Sequence, residues 1–159
     1  MQKINSKNLL VSSVEIPNHP IKDMGKRKIE IDENFYISGD DAQNIKEGMQ
    51  IRLLGLGNVS IIKSNEEFVG EFVGEFVGDG ETTDIPKIQW VPQKNAHEIK
   101  MLIPKILFEG EEFNEESLQE LDVYTEPYYL QLKEGEEIQF VRFGYCRKDS
   151  QNQAIFTHK

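Results

Sequence analysis

The stretch from Glu67 to Gly80, EFVGEFVGEFVGDG, states one tetrad three times and then ends in Asp-Gly. A pleated backbone suits it best. On a strand, side chains alternate between faces, so Phe68, Gly70, Phe72, Gly74, Phe76 and Gly78 share one face while the valines and glutamates share the other. A helix would also stack the phenylalanines, because a step of four residues overshoots a full turn by only about 40°. Glycine decides the matter: each one costs a helix interior up to about 1 kcal/mol relative to alanine, whereas valine and phenylalanine favour the pleated surface. The spacing predicts a strand ending in the Asp79-Gly80 turn. A slip of four residues restores the same pattern, so register here is weakly defended.

The rest of the chain has the same β-rich texture. Residues 1–14 read as a linker or N-terminal extension, and Pro17-Asn18-His19-Pro20 forces extended or turned backbone. Ile29-Glu30-Ile31 and Asn34-Phe35-Tyr36-Ile37 read as short strands. Ser38 with Asp40 and Asp41 caps a short helix through Lys46 that Gly48 stops. Residues 50–63 are β-rich, with Gly55-Leu56-Gly57-Asn58 as a bulge or turn. Lys87–Val91 and Glu98–Ile103 alternate clearly. Asn114 reads as the cap of a helical turn through Ser117, Leu118 and Leu121. Residues 123–132, 138–147 and 154–157 complete the strands, with a turn at Glu134-Gly135. Many short strands and one or two short helices imply an all-β sandwich or a pair of barrels.

At 159 residues the chain suffices for one ordinary domain or two small barrels packed together. The largely apolar run 51–62 is too short and too interrupted to cross a bilayer, no secretory signal pattern opens the sequence, and the single cysteine, Cys146, has no internal disulfide partner. These features lead us to expect a cytoplasmic protein without membrane contact. Net charge is −10, which at first argues against a polyanionic partner. The distribution qualifies this: residues 1–30 and 139–159 are each +3, and residues 31–138 are −16. Were the two ends to meet, they would form a basic face on an acidic body; the plain alternative is scattered, solvated charge.

Catalytic chemistry is hard to find. His19, His97 and His158 are far apart without a metal-ligand spacing. Cys146 alternates with Phe143 and Tyr145 and reads as a small core residue. GLGNV is neither a dinucleotide fingerprint nor a P-loop. The carboxylates of 109–122 read as a solvated face.

Four ordered segments carry a family likeness: IKEGMQIRLLGLGNVSI (45–61), DIPKIQWVP (84–92), EEIQFVRFGYCRKD (136–149) and IFTHK (155–159), with PNHPIKDMGKRKIEI (17–31) before them. Together they resemble the C-terminal anticodon-binding domain of archaeal and eukaryotic-type glutamyl-tRNA synthetases, and more distantly that of glutaminyl-tRNA synthetases. The resemblance covers roughly residues 15–159. It implies two packed β-barrels, a proximal one from about 15–40 and 123–159 and a distal one from about 41–122, which bind the tRNA anticodon stem-loop. Partners would be the glutamate tRNA, with glutamine tRNA left open, and the catalytic domain of the same synthetase in cis or in trans. The family's HIGH-type and KMSKS-type motifs have no counterpart here. The chain by itself is therefore expected to be inactive and to hold no cofactor, with ATP and Mg serving the parent ligase, and it reads as an excised piece or a separately encoded half. The alternative is a protein-interaction module whose acidic middle docks a basic partner or the catalytic half, with little RNA contact.

Candidate tRNA contacts follow from type and place. Lys26, Arg27 and Lys28 are three successive cations before a strand. Arg142, Arg147 and Lys148 lie on or beside the EEIQFVRFGYCRKD strand. Arg52 matches a family arginine near the anticodon-reading region. Trp90 offers a stacking surface or a core residue, and His158 and Lys159 end the chain. No catalytic or metal residue is assigned. The family pattern expects one EFVGD-like strand, so the triple copy looks like a tandem expansion with one packed copy and eight protruding residues.

Overall fold

The computed structural model describes residues 2–19, 21–64, 71–80 and 84–159, which form two compact units, Met1–Ala96 and His97–Lys159. Both are built from strands, as the sequence predicts.

The first unit contains β1 (Gln2–Lys7), β2 (Ser13–Pro17), β3 (Lys26–Glu30), β4 (Asn34–Ile37), the four-residue helix α1 (Gly39–Ala42), β5 (Gln50–Leu53), β6 (Gly57–Ser64), β7 (Glu71–Gly78), β8 (Lys87–Ile88) and β9 (Trp90–Pro92). Seven of these make one sheet in the order β8-β5-β6-β7-β1-β4-β9. Its edge strands β8 and β9 are separated in the chain by Gln89 alone, so one short segment pairs with β5 on one edge and with β4 on the other. The sheet thereby curls into a nearly closed barrel, which removes the exposed edges an open sheet must otherwise protect. Ile4, Phe35, Ile37, Ile51, Leu53, Val59, Ile61, Phe72, Ile88 and Trp90 fill it. The β2–β3 hairpin lies apart from that sheet and contributes Ile29 to the same core.

The second unit contains β10 (His97–Pro104), β11 (Phe108–Glu109), β12 (Glu112–Phe113), β13 (Leu118–Thr125), a 3₁₀ turn at Pro127–Gln131, β14 (Glu137–Phe140), β15 (Gly144–Ser150) and β16 (Gln153–His158). Its five-stranded sheet runs β13-β10-β16-β15-β14, with β10 and β16 parallel and the other pairs antiparallel. Ile99, Met101, Tyr129, Cys146 and Ala154 form the buried core.

Several expectations meet a different structure. The segment read as a linker holds β1, paired with β4 and β7; its polar sequence QKINSK conceals that Ile4 and Ser6 both point inward. The units follow chain order, and among the described strands none from 15–40 pairs with one from 123–159. No helix forms at 114–121. Leu118 and Leu121 have helical spacing, but Leu121 and Val123 alternate inward along β13 and pair with β10, while Asn114 closes a turn by accepting from the Glu116 amide. Ser38 does cap α1, accepting from the Asp41 amide at 3.1 Å, yet the helix ends at Ala42, before the expected Lys46.

The repeat resolves in part. Its second and third copies make up β7, which lies between β6 and β1, so these eight residues belong to the barrel wall and do not protrude; the first copy lies outside the described residues. Phe72 and Gly74 face inward as the alternation predicts. Gly74 is held by close packing, because a Cβ there would collide with Val59 Cγ1 and lie 3.1 Å from the Ser60 carbonyl oxygen.

Two outcomes follow from this wall. Gly74→Ala should destabilise the first unit by about 1–3 kcal/mol through overpacking. Urea unfolding followed by fluorescence of Trp90, the single tryptophan, measures it. Deleting one EFVG unit should preserve the unfolding midpoint within experimental scatter, because the remaining copies refill the same register. Deleting two should lower it, since half of the strand between β6 and β1 would be lost.

Candidate nucleic-acid interface

The candidate cations divide into two groups once the strands are in place. In the β2–β3 hairpin, strand alternation puts Lys26 and Lys28 on one face, both exposed, with Glu15 opposite Lys28. Arg27 points the other way and donates Nη1–H to the Pro17 carbonyl at 2.8 Å, bracing the hairpin. The hairpin's loop is locally organised: His19 Nδ1 accepts from the amides of Ile21 (3.0 Å) and Lys22 (2.9 Å), and the Asn18 amide donates to the Gly25 carbonyl. Asn18 and His19 therefore bend the chain out of β2; Pro20 lies outside the described residues.

Arg52 is half-buried on β5 and is used internally. Its Nη1 lies 2.9 Å from Asn58 Oδ1, 3.2 Å from the Asp79 carbonyl and 3.1 Å from that of Gly80. Asn58 Nδ2 donates to the same Gly80 carbonyl at 2.7 Å, so the two side chains staple the turn that ends β7. Trp90 is a correction to the stacking expectation. It is 5% exposed, meets Phe35 edge-on at 5.1 Å, and donates Nε1–H to the Leu54 carbonyl at 2.8 Å. An indole packed and hydrogen-bonded in this way is a core residue.

Lys148 is the second correction. On β15 it alternates inward with Cys146, is 3% exposed, and its ammonium donates toward the carbonyls of Tyr129 (3.0 Å), Leu132 (2.7 Å) and Leu130 (3.5 Å). It also lies 4.9 Å from the centroid of the Tyr129 ring. Helix-like turns leave their last carbonyls unmatched, and here a buried cation satisfies them, so it has no free face for a phosphate. Arg142 differs from the expected strand position as well: it sits in the tight turn between β14 and β15 with φ of 68°, a left-handed conformation. Arg147 is exposed on the outer face of β15, opposite Glu137 on one side and Ile155 on the other.

His158 is brought into an ordered place that the sequence does not announce. It is the last residue of β16 and its ring stacks on Tyr145 at 4.6 Å, with the planes 11° apart. Thus Arg147, Tyr145 and His158 share the outer face of the second sheet; Lys159 follows, exposed, in the chain. Sequence reading passed over Tyr145, although its two-residue spacing from Arg147 already put both on one strand face. Among the described residues, no group of three His, Cys, Asp or Glu is placed to hold a metal ion, and no helix is long and apolar enough to cross a membrane.

The described geometry is that of a mainly β, two-unit chain with outward-facing cations and aromatics. Sequence comparison places such a chain. Residues 3–77 and 87–149 match two successive models described as the anticodon-binding domain of class I tRNA synthetases (E and Q), and the chain belongs to that family. It is 72% identical over 158 residues to a glutamate–tRNA ligase of Nitrosopumilus maritimus, covering 99% of this chain and 27% of the relative. It is 46% identical to one of Cenarchaeum symbiosum (94% of this chain, 26% of the relative) and 32% identical to one of Pyrococcus furiosus (90% and 24%). The chain thus spans about a quarter of the length of these relatives.

Burial in the second core has consequences for stability. Removing the Lys148 ammonium with Lys148→Ala should cost about 2–4 kcal/mol, because buried carbonyls lose their partner; faster amide exchange throughout β14–β16 checks it. Tyr129 donates its hydroxyl toward the Gln153 and Ser150 carbonyls, and burial, helped by the charge of Asp149, pushes its phenol from 10.0 up to about 12. Burial likewise pushes the Cys146 thiol from 9.0 up to about 11. Both folded-state values are raised, so this stability is complete below the unfolded values and is lost as pH rises through the folded ones. Urea midpoints should therefore decline between pH 9 and 12, and Tyr129→Phe should flatten the upper part of that decline.

Proposed function

We propose that this chain is the tRNA anticodon-binding part of a glutamate–tRNA ligase, holding the tRNA while a catalytic domain, joined in cis or supplied in trans, charges it in the cytoplasm. The observation that carries the reading is the run of two successive family matches across most of the chain, at high identity to glutamate–tRNA ligases. Its geometry supports this: Lys26 and Lys28 on one hairpin face, and Arg147 with two aromatic rings on a sheet face, supply what an unpaired RNA loop requires, namely phosphate contacts and stacking surfaces. Glutamate tRNA is the expected substrate, with glutamine tRNA left open; ATP and Mg act in the catalytic part.

RNA affinity that rests on cations falls linearly with salt on logarithmic axes. A glutamate tRNA transcript should bind the full chain more weakly as salt rises from about 50 to 200 mM. Changing Lys26 and Lys28 together to glutamine, with Arg27 kept to brace the hairpin, should flatten that slope by about two. Filter binding measures both, and binding indifferent to salt would count against the reading.

One observation favours the alternative, a protein-docking role. The β11–β12 hairpin and its flanks expose Ile106 (71%), Leu107, Phe108, Phe113 (59%) and Leu118 within an acidic stretch. The hairpin is built rather than loose: Phe108 meets Phe113 edge-on at 5.9 Å, and Asn114 clasps the Ile106 and Leu107 carbonyls through its side-chain and backbone N–H groups. Apolar residues rimmed by glutamates suit a cation-rimmed protein surface and repel phosphate. Pull-down with the catalytic part of the Nitrosopumilus maritimus ligase should lose recovery on Phe108→Ser with Phe113→Ser if this reading is right, with tRNA binding unchanged.

A further inference from the structure

We propose that His158, seated on Tyr145 and held by Thr157, is a nucleobase platform: an unpaired RNA base extends the Tyr145–His158 stack, and the imidazole nitrogen at the ring edge accepts from the adjoining nucleotide. This rests on the RNA-binding reading above and assigns that reading a specific contact.

Three features support it. The first is the strand register. Along β16, Ala154 and Phe156 point into the core, and strict alternation would send His158 the same way. It does not go there, because the β15–β16 ladder shifts register between Tyr145↔His158 and Cys146↔Phe156, which leaves Thr157 as an extra residue. A bulge of this kind re-aims the next side chain, and here it turns His158 onto the outer face.

The second feature is the hydrogen-bond chain. Thr157 Oγ1 donates to the Tyr145 carbonyl at 3.0 Å and lies 3.1 Å from His158 Nδ1. A hydroxyl has one proton; once it is given to the carbonyl, the oxygen can only accept from the imidazole. Nδ1 therefore carries the ring proton, and in the neutral ring Nε2 is left as an acceptor, without a hydrogen-bond partner among the described residues. Its lone pair lies in the ring plane, so it suits a ribose hydroxyl or an exocyclic amine of the adjoining nucleotide, reached at the ring edge beside the stacked base.

The third is access. His158 is exposed, and β10 pairs with β16 as far as Ile155, so among the described strands none pairs beside the histidine on the side away from Tyr145. Ring stacking in the tyrosine–histidine pair fixes the plane a base would join. Arg147, two residues along the same face, is placed for a neighbouring phosphate.

The test uses the full chain and a glutamate tRNA transcript with 2-aminopurine introduced singly at each anticodon-loop position. In the unaltered chain, one or more positions should be quenched on binding. His158→Ala should abolish that quenching and weaken binding about tenfold, the scale of one lost base–aromatic stack, while leaving the salt slope unchanged. His158→Phe should keep the quenching, because it keeps the ring. Thr157→Val should weaken binding less than His158→Ala, because it frees the ring without removing it. His158 is exposed on the outer face and outside the buried core, so its replacement leaves the core intact. Should tRNA bind with no quenching at any loop position, or bind His158→Ala as tightly as the unaltered chain, the platform is overturned while the RNA-binding reading stands. Should the unaltered chain fail to bind tRNA, both fall.

Discussion

The first unit depends on the way one short segment, residues 86–92, is gripped on both sides. Its early part runs along β5, where the Arg52 amide donates to the Pro86 carbonyl and the Leu54 amide to that of Ile88. Its later part runs along β4, with Trp90 opposite Ile37. Trp90 is where the two halves meet: its ring packs on Phe35 of β4, and its N–H reaches Leu54, just past β5. A buried indole removes roughly 150–250 Å² from water, so the residue that crosses the seam also supplies much of the energy that keeps it shut. Closing the seam fixes β5, which fixes Arg52, which with Asn58 holds the turn at the end of β7. The tryptophan serves any functional surface on this unit by holding the strands that carry it.

The two units reuse one local device. At the start of β6, Gly57 has φ of 148° and lies so close under the Phe76 ring that a Cβ would be 2.6 Å from Cε2; at the start of β15, Gly144 has φ of 148° and the same 2.6 Å relation to Phe156. In each, a register shift follows at once, Asn58↔Gly78 then Val59↔Phe76, and Tyr145↔His158 then Cys146↔Phe156. Aromatic over glycine, then a bulge, therefore recurs with different residues at the position after the glycine. In the first unit the residue at that position is Asn58, which is buried, turns to Arg52 and Gly80 and serves the fold. In the second it is Tyr145, which receives His158 and leaves a ring face to solvent. The backbone solution is shared, and side-chain choice separates a structural staple from a surface that can receive a ligand.

How legible this was depends on the range of the interaction concerned. Alternation is local, so the face assignments of β7 and β10, the inward Cys146 and the Ser38 cap could all be read directly. β1 was hidden because QKINSK has only one large apolar residue, and its strand character comes from β4 and β7, distant in the chain. At Leu118–Leu121 helical spacing and strand alternation compete, and pairing with β10 decides for the strand. The candidate site was legible by residue type more than by role. Lys148 and Arg147 are adjacent cations with equal standing in sequence, and the pleat sends one to buried carbonyls and the other to solvent. His158 could not be oriented from sequence, because its direction depends on a bulge that only the partner strand defines.

That division changes what the charge distribution means. The +3 of residues 139–159 suggests a basic patch, yet one of its four cations is spent inside the second core and Arg142 sits in a tight turn. What remains, Arg147 with two stacked rings on the outer face and the exposed Lys159 after them, is too sparse for affinity founded on counterion release alone. Stacking is largely indifferent to salt and to phosphate spacing, and it operates on unpaired bases rather than on duplex. If the proposed platform is right, a unit so equipped would select the looped part of an RNA over its stem, which is the discrimination an anticodon-binding domain needs on a protein whose net charge repels nucleic acid in general.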